Sequence, residues 1–276
     1  MSAPQVTIMV LTAALTLCIV YRFFLIFERK KSGYETGCCK TIGSREIQMD
    51  YYMAEENENG LLAVLADGRG REAGGRIAAK TVIQVFQEIF DTYNMLDHPS
   101  YFFQKGFLTA NREILKQMEE GRGMASASAV MVQDGFLFYG IVGNVKAAVY
   151  RNHELVSLGN GHTVDVLAED KYYQGAITRE DALSMLHEKR AYNYLGRDGF
   201  RQIEFYDEPI RLQKDDIIVL LSDGMYEGVT WKQIEDTLSQ KKSCKKIALE
   251  LVEAINQKKE DKDNASVILI RVGEPG

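Results

Sequence analysis

The chain has 276 residues, of which 46% are hydrophobic, enough for one large globular domain or two small ones. Its formal net charge of −6 argues against a nucleic-acid-binding protein. Four scattered cysteines, Cys18, Cys38, Cys39 and Cys244, form no CxxC pair. The sequence therefore predicts neither a disulfide framework nor a zinc site, and it is typical of a reducing compartment.

The first 40 residues predict attachment to a membrane. Segment 5–27 is almost entirely apolar and is long enough to cross a bilayer, which takes about 20 residues. Three basic residues at 29–31 follow the segment and none precedes it, the reverse of a cleaved signal peptide. The positive-inside rule then places the remainder in the cytoplasm. We expect a single-pass transmembrane anchor over 5–27 in the cell membrane, a juxtamembrane tether over 28–40 and a globular domain over 41–272.

The first strong signal inside the domain is an apolar run at 61–66 that ends in Asp67 and Gly68. A helical pattern opens at Gly74 and continues to Phe90. A strand, an acidic turn and a helix would place the Asp67 carboxylate at the edge of a sheet. The glycine would let the backbone come close to a small ligand. An ordinary strand-to-helix turn has the same residue types, so this signal alone leaves both interpretations open.

The same pattern recurs elsewhere in the chain. Asp223 follows the apolar run 217–221, Asp263 precedes the apolar run 265–270, and Asp50 lies close before the first of these strands. Carboxylates at the ends of buried strands repel one another and lose hydration, so a fold keeps several together only if cations neutralise them. Hard divalent ions with oxygen ligands, Mg²⁺ or Mn²⁺, are the natural partners.

The remaining elements follow from hydrophobic period and turn residues. Thr178 and Thr230 each open a capping box and hence a helix. Amphipathic patterns predict further helices over 101–118 and 244–258. Short apolar runs separated by turn residues predict antiparallel strands over 47–53, 125–132, 135–142, 146–151, 154–158, 203–209 and 217–222, with a last strand ending at 272. Two sheets packed face to face, each covered by helices, would bury these elements in one domain.

An ordered set of motifs carries a resemblance to a known family. In sequence order they are Arg45-x4-Asp50, Ala66-Asp-Gly-x-Gly70, 73–75, 126–130, 143–146, Ser222-Asp-Gly224 and Asp263-Asn264. The set resembles the metal-dependent serine/threonine protein phosphatases of type 2C, the PPM family, especially its compact bacterial members. The resemblance covers nearly everything from about Gly43 to Val272.

The resemblance implies an α+β fold, a four-layer α-β-β-α sandwich with a binuclear Mn²⁺ or Mg²⁺ centre at one end. It implies that the metal ligands are Asp50, Asp67, the Gly68 carbonyl, Asp223 and Asp263. Arg45 matches the arginine that binds the substrate phosphate through two oxygens. A water held between the two ions would attack the phosphorus of a phosphoserine or phosphothreonine, so no protein nucleophile is required.

Several positions depart from the family pattern. Asn144 stands where most relatives have an aspartate associated with a weaker third metal, and Glu227 matches a second ligand of that ion. Met49 replaces a common acidic residue. Arg69 and Arg71 either add positive charge beside the substrate or point to solvent, and we favour solvent. His162 is expected to have a surface or packing role.

Two hypotheses follow. The first is an active, membrane-anchored phosphatase whose partners are phosphorylated proteins, including substrates of a membrane serine/threonine kinase. The alternative, motivated by Asn144 and Met49, is a catalytically impaired phosphatase-fold module that binds a signalling partner.

Overall fold

The computed structural model describes residues 3–28, 33–92, 99–206, 208–259 and 261–273, without the side chains of 3, 6–8, 10 and 23–28. The chain divides into two units, Met1–Gly33 and Tyr34–Gly276. The helices are α1 (Ala3–Glu28), α2 (Gly74–Thr92), α3 (Pro99–Gln117), α4 (Val164–Tyr173), α5 (Arg179–Met185), α6 (Asp223–Gly228), α7 (Trp231–Leu238) and α8 (Cys244–Asn256). The strands are β1 (Tyr34–Thr41), β2 (Tyr51–Asn57), β3 (Gly60–Gly70), β4 (Gly123–Gln133), β5 (Phe136–Val142), β6 (Lys146–Arg151), β7 (Glu154–Ser157), β8 (Glu204–Phe205), β9 (Ile210–Arg211), β10 (Ile217–Leu221) and β11 (Ala265–Val272).

The N-terminal unit contains helix α1, which covers the predicted segment 5–27. Apolar side chains on this helix are exposed, for example Leu17 at 74% and Val20 at 67%. Within the described residues, no helix combines the length and the apolar character that a membrane span needs. The predicted transmembrane helix is therefore not supported by the structure. The basic flank at 29–31 lies outside the described residues.

The second unit is built on two antiparallel sheets. One has the strand order β1-β11-β10-β6-β7, and the other has the order β2-β3-β4-β5-β8, with β9 paired to β5. A core of interdigitated apolar side chains lies between the sheets, including Leu65, Ile218 and Ile268. The central strands β3, β4, β10 and β11 bury side chains on both faces because helices cover the outer faces.

Two further apolar cores lie between each sheet and the helices that cover it. Helices α2 and α3 lie on the β2–β5 sheet, where Phe86 and Phe107 meet edge to face with ring centroids 4.9 Å apart. Helices α7 and α8 cover the other sheet, with Ile234, Ile247 and Leu251 buried beneath them. The order helix, sheet, sheet, helix confirms the predicted four-layer α-β-β-α sandwich.

Two predicted helix starts are confirmed in atomic detail. The Thr178 hydroxyl accepts a hydrogen bond from the Asp181 N–H, and the Asp181 carboxylate accepts one from the Thr178 N–H. The same reciprocal pair joins Thr230 and Gln233 at the start of α7. Each box satisfies backbone donors that the first helical turn would leave unpaired.

The predicted tether over 28–40 is wrong from Tyr34 onward. Tyr34–Thr41 forms β1, so the folded unit begins there and not at Thr41. The strand lies at a sheet edge, where most of its side chains are only half-buried. Its sequence therefore lacks the apolar run by which a central strand is recognised.

Other differences concern short or weakly patterned elements. Helix α4 was not predicted because it buries only Val164 and Ala168, and α6 was not predicted because it has six residues. The predicted strand 203–209 is reduced to the two residues of β8. Strand β2 begins at Tyr51 and continues to Asn57, four residues later than predicted at each end. Residues 93–98, between α2 and α3, lie outside the described residues.

Strand register gathers the ends of several strands at one edge of the sandwich. Tyr51 pairs with Ala66, so Asp50, just before β2, lies beside the point where Asp67 leaves the core. Leu221 pairs with both Val267 and Lys146, so the end of β10 meets the beginnings of β11 and β6. Residues that precede or follow these strands therefore converge, although they are far apart in sequence.

Strand β1 is expected to be required for stability. It pairs with β11 over eight residues, and Glu35 accepts a hydrogen bond from the Cys244 N–H at 2.8 Å at the start of α8. A fragment 42–273 should therefore melt about 10 °C or more below a fragment 34–273 in a circular dichroism scan. Equal melting temperatures would show that β1 is dispensable and that the domain begins at Thr41 after all.

Candidate metal centre

Two Asp-Gly steps place carboxylates at the edge of the sandwich. Asp67 lies near the end of β3, three residues before the last residue of the strand. Asp223 begins α6, two residues after the last residue of β10. A Cβ on Gly68 would lie 2.1 Å from the Gly75 carbonyl oxygen, and one on Gly224 would lie 2.1 Å from that of Asn264. Only glycine permits such close backbone approach, so these steps are fixed by packing.

Three of the predicted ligands are buried. Asp50, Asp67 and Asp223 are 1%, 5% and 3% exposed. Burial, followed by the charges of Asp223 and Asp50, raises the pKa of Asp67 well above its ordinary value. Burial also raises the pKa of Asp50 to about 7, although the Ser266 hydroxyl, which donates to its carboxylate at 2.7 Å, opposes the rise. The carboxylates thus share one poorly hydrated region in which negative charge is costly.

Two buried oxygens near these carboxylates have no hydrogen-bond partner among the described residues. They are Asp67 Oδ2 and Asn144 Oδ1. A buried polar atom without a partner costs about 1–3 kcal/mol, and native folds rarely leave one without a reason. Both atoms are oxygens, the ligand atoms that Mg²⁺ and Mn²⁺ prefer. The residues present therefore fit a hard divalent cation.

Two of the predicted ligands, Asp263 and Asp223, form ion pairs with arginines. Arg45 donates two hydrogen bonds to Asp263, at 3.0 and 2.9 Å, in a pair that is about half exposed. Partial burial would raise the pKa of Asp263, but the hydrogen bonds from Arg45 and from the Asn264 N–H outweigh it and lower that pKa. Arg69 donates to Asp223 Oδ2. Two guanidinium groups thus pair directly with carboxylates at this edge.

These pairings explain a negative finding. Among the residues that the structure describes, no three acidic, histidine or cysteine side chains are already arranged as a metal-binding group. The charge of Asp223 nevertheless helps to raise the pKa of both Asp50 and Asp67, so the three side chains are neighbours. Side chains that are held by other partners can be neighbours without pointing at one common point.

Sequence reasoning missed the groups that hold the acidic side chains. Ser266 donates to Asp50, and the Ser222 hydroxyl accepts a hydrogen bond from the Ser266 N–H at 2.9 Å. Lys40 donates to the Asp50 carbonyl at 2.9 Å. The Asn264 side chain accepts from the Met49 N–H at 2.7 Å. A serine inside an otherwise apolar strand, as at position 266, is the signal that could have found this support.

The residues proposed for a third metal both lie beside Asp223. The Asn144 amide donates to Asp223 Oδ2 at 2.8 Å, and the Asn144 carbonyl accepts from the Tyr226 hydroxyl at 2.8 Å. Burial and the nearby charge of Asp223 raise the pKa of Glu227. The structure therefore places Asn144 and Glu227 beside Asp223.

Two other sequence interpretations have a clear outcome. His162 Nδ1 accepts a hydrogen bond from the Gly143 N–H at 3.1 Å, and burial lowers the pKa of its imidazole. It therefore packs as a neutral ring, which confirms the packing role. Arg71 is exposed, as favoured, whereas Arg69 contacts Asp223 and does not simply point to solvent.

A cleft of about 530 Å³ opens over this edge and is lined by Arg45, Gly68, Arg69 and Asp263. A smaller cavity of about 250 Å³ is lined by Asn144 and Glu227. A larger cleft, of about 850 Å³, lies elsewhere between the β6–β7 turn and the start of α8. We place the candidate site at the first cleft because Arg45 and Asp263 line it, together with Gly68, which directly follows the buried Asp67.

Comparison with known proteins identifies the fold. The serine/threonine phosphatase stp of Listeria monocytogenes serotype 4b is 24% identical over 224 residues, which cover 78% of this chain and 86% of that protein. A serine/threonine phosphatase structure from S. agalactiae superposes with a TM-score of 0.75 at 22% identity, covering 87% of this chain and 99% of that one. The chain has the fold of the bacterial PPM phosphatases.

One solved neighbour bears on the metal. The catalytic domain of the serine/threonine phosphatase PstP, in complex with two manganese ions, matches with a TM-score of 0.68 at 21% identity, covering 87% of this chain and 99% of that one. A scan against models of protein families finds no match. The relatives' names agree with the predicted enzyme class and with the predicted manganese or magnesium cofactor.

The buried carboxylates predict an unusual pH dependence in EDTA. Because the pKa of Asp50 is raised from 3.8 to about 7, the folded state keeps a proton that the unfolded chain has released. The free energy of unfolding should therefore fall as pH rises from about 4 to about 7, and Asp50→Asn should reduce the fall by at least about 1 kcal/mol. Urea denaturation at several pH values measures it.

The control for this measurement is Asp236→Asn, which removes an exposed carboxylate on α7. It should leave the slope unchanged. An Asp50→Asn slope equal to that of the unaltered chain would show that Asp50 is already ionised in the folded protein.

Proposed function

We propose that this chain is a metal-dependent protein phosphatase that hydrolyses phosphoserine and phosphothreonine esters. The observation that carries the proposal is the convergence of buried Asp50, Asp67 and Asp223, with an unpartnered oxygen on Asp67, beside a cleft that holds Arg45. The names of the relatives and the shared fold support the same activity.

The proposed ligands are Asp50, Asp67, the Gly68 carbonyl, Asp223 and Asp263, which would hold two Mn²⁺ or Mg²⁺ ions. Such ions supply a nucleophile near neutral pH by lowering the pKa of coordinated water. The proposed third-metal residues, Asn144 and Glu227, bring one carboxylate and one neutral amide. A third ion would therefore be held more weakly than the other two.

The chain's own residues would do the rest of the work. Arg45 is about half exposed in the cleft, and its planar guanidinium can donate to two phosphate oxygens, as it does to the two oxygens of Asp263. It would orient the ester and offset charge on the phosphoryl oxygens as the bond breaks. Ser266 and Asn264 would hold Asp50 in place, Ser266 through the Asp50 carboxylate and Asn264 through the neighbouring Met49 N–H.

The activity test uses the full chain and a phosphothreonine peptide. Turnover should require Mn²⁺ or Mg²⁺ and should fall by at least about a thousandfold in Asp67→Asn and Asp223→Asn, because each removes the negative charge of a proposed metal ligand. Arg45→Met should lower kcat/KM by roughly 10- to 100-fold through lost phosphate binding.

Matched controls are Asp236→Asn and Arg179→Met, which make the same changes on the exposed surface and should retain full activity. Calorimetric titration with Mn²⁺ separates the alternative function. A chain that captures a phosphorylated partner but shows negligible turnover at millimolar Mn²⁺ would be the binding module suggested by Asn144 and Met49.

We also propose that the chain works at a membrane, with the folded unit in the cytoplasm, where a membrane serine/threonine kinase would supply its substrates. The support is the apolar sequence of 5–27, the basic residues at 29–31 and the exposed apolar side chains of α1.

The location is measured by fractionating cells that express the full chain or the fragment 34–276. The full chain should resist carbonate extraction from membranes, and the fragment should be released, because it lacks the apolar segment. Equal release of both would exclude a membrane anchor. Phosphatase activity of both forms in solution would show that the anchor and the active site are independent.

A further inference from the structure

Arg69 occupies a central place among the acidic side chains. It follows Asp67-Gly68 on β3, and its guanidinium donates to Asp223 Oδ2. The Asp223 side chain is only 4% exposed, whereas that of Arg69 is 46% exposed. The pair therefore joins a buried carboxylate to a cation that has direct access to the cleft.

Arg69 shares the carboxylate oxygen Asp223 Oδ2 with a second hydrogen-bond donor. Asp223 Oδ2 accepts hydrogen bonds from both Arg69 and the Asn144 amide. A carboxylate oxygen has two lone pairs, so both are already engaged. A metal ion that binds this oxygen must compete with these two donors.

Arg69 also acts on the neighbouring carboxylates. Its charge favours the ionised forms of Asp67, Asp263 and Glu227, although burial and acidic neighbours raise the pKa of Asp67 overall. One guanidinium thus partly neutralises four carboxylates at once, counting Asp223. This is the electrostatic role that a divalent ion would have at the same position.

We propose that Arg69 is an internal counter-ion that competes with divalent metal for Asp223 and is displaced when metal binds. The inference rests on the proposed function, because it assumes that this site takes up Mn²⁺ or Mg²⁺. Arg69 is the donor that leaves, since it is half-exposed on a long flexible stem, whereas Asn144 is 3% exposed and held through its backbone by Tyr226.

If Arg69 competes with metal for Asp223, removing Arg69 should increase the affinity for metal. Removing the Arg69 charge abolishes a competitor for Asp223 and leaves more negative charge for the metal to neutralise. Arg69→Met, which keeps the length of the side chain but not its charge, should bind Mn²⁺ about tenfold more tightly in calorimetry, which corresponds to the loss of one charge-assisted hydrogen bond.

Arg71→Met is the matched control. Arg71 lies two residues away, is exposed and carries the same charge, so its loss tests a general change in surface potential. Its Mn²⁺ affinity should stay within about twofold of that of the unaltered chain because exposed charges are strongly screened.

Arg69→Gln provides a second variant, which retains a hydrogen-bond donor for Asp223 without the charge. It should also bind Mn²⁺ more tightly, and both Arg69 variants should melt at lower temperature than the unaltered chain in EDTA and recover on addition of Mn²⁺. Unchanged or weaker Mn²⁺ binding in folded Arg69→Met and Arg69→Gln would overturn the inference.

The design separates the two proposals. Mn²⁺ binding and turnover by the unaltered chain report on the proposed function, and the ratio of affinities between variants reports on Arg69. Binding by Arg69→Met alone would support the competition strongly. If the unaltered chain binds and turns over substrate while the ratio stays at one, only the Arg69 inference fails. If no form binds Mn²⁺, the proposed function fails and the inference fails with it.

Discussion

Compensation of buried negative charge is the constraint on which this structure depends. Asp50, Asp67 and Asp223 are nearly inaccessible to water, and the charge of Asp223 is close enough to help raise the pKa of Asp50 and Asp67. In such a place a carboxylate is stable only with a proton, a hydrogen-bond donor or a cation. All three solutions are visible here: raised pKa values, the Ser266 hydroxyl on Asp50, and the Arg69 guanidinium on Asp223.

The sandwich creates this problem through its topology. Antiparallel register brings the start of β2 beside the end of β3, and the end of β10 beside the start of β11. Both sheets therefore deliver strand ends to the same edge, and the acidic residues next to those ends converge. The backbone is packed so tightly at Gly68 and Gly224 that any side chain there would clash with a neighbouring segment, so both Asp-Gly steps are held against their surroundings. The fold fixes the acidic cluster, and the side chains around it must adapt.

Most of this architecture could be predicted because its signals are local. An apolar run that ends in Asp-Gly marks Asp67 and Asp223, and the sequences after Thr178 and Thr230 identify helix starts that the structure confirms. Strand β1 escaped prediction for a physical reason: an edge strand needs only one buried residue, Gly37, in its middle and so shows no apolar period. Its support comes from β11 and α8, more than 200 residues away in sequence.

The side-chain pairing at the site could not be predicted for the same reason. The partners Arg69 and Asp223 are 154 residues apart, and Arg45 and Asp263 are 218 apart. Sequence pattern identifies which carboxylates reach the edge, because each sits beside its own strand. It does not identify which cation meets which carboxylate, since that depends on how side chains from different strands share a small space. The expectation that Arg69 would face solvent failed on this point.

The balance of charge at this edge links the arginine–carboxylate pairs to the binding of metal and of a phosphate ester. Asp50, Asp67, Asp223, Asp263 and Glu227 outnumber the two guanidinium groups, Arg45 and Arg69, that pair with carboxylates at this edge. Burial, reinforced by the neighbouring carboxylates, raises the pKa of Asp50, Asp67 and Glu227. Two divalent ions would bring more positive charge than the deficit requires. The edge would then attract a phosphate ester, which carries close to two negative charges near neutral pH. Because Arg45 and Arg69 line the cleft, the same two arginines that stabilise the carboxylates would face the ester once metal has taken over that role.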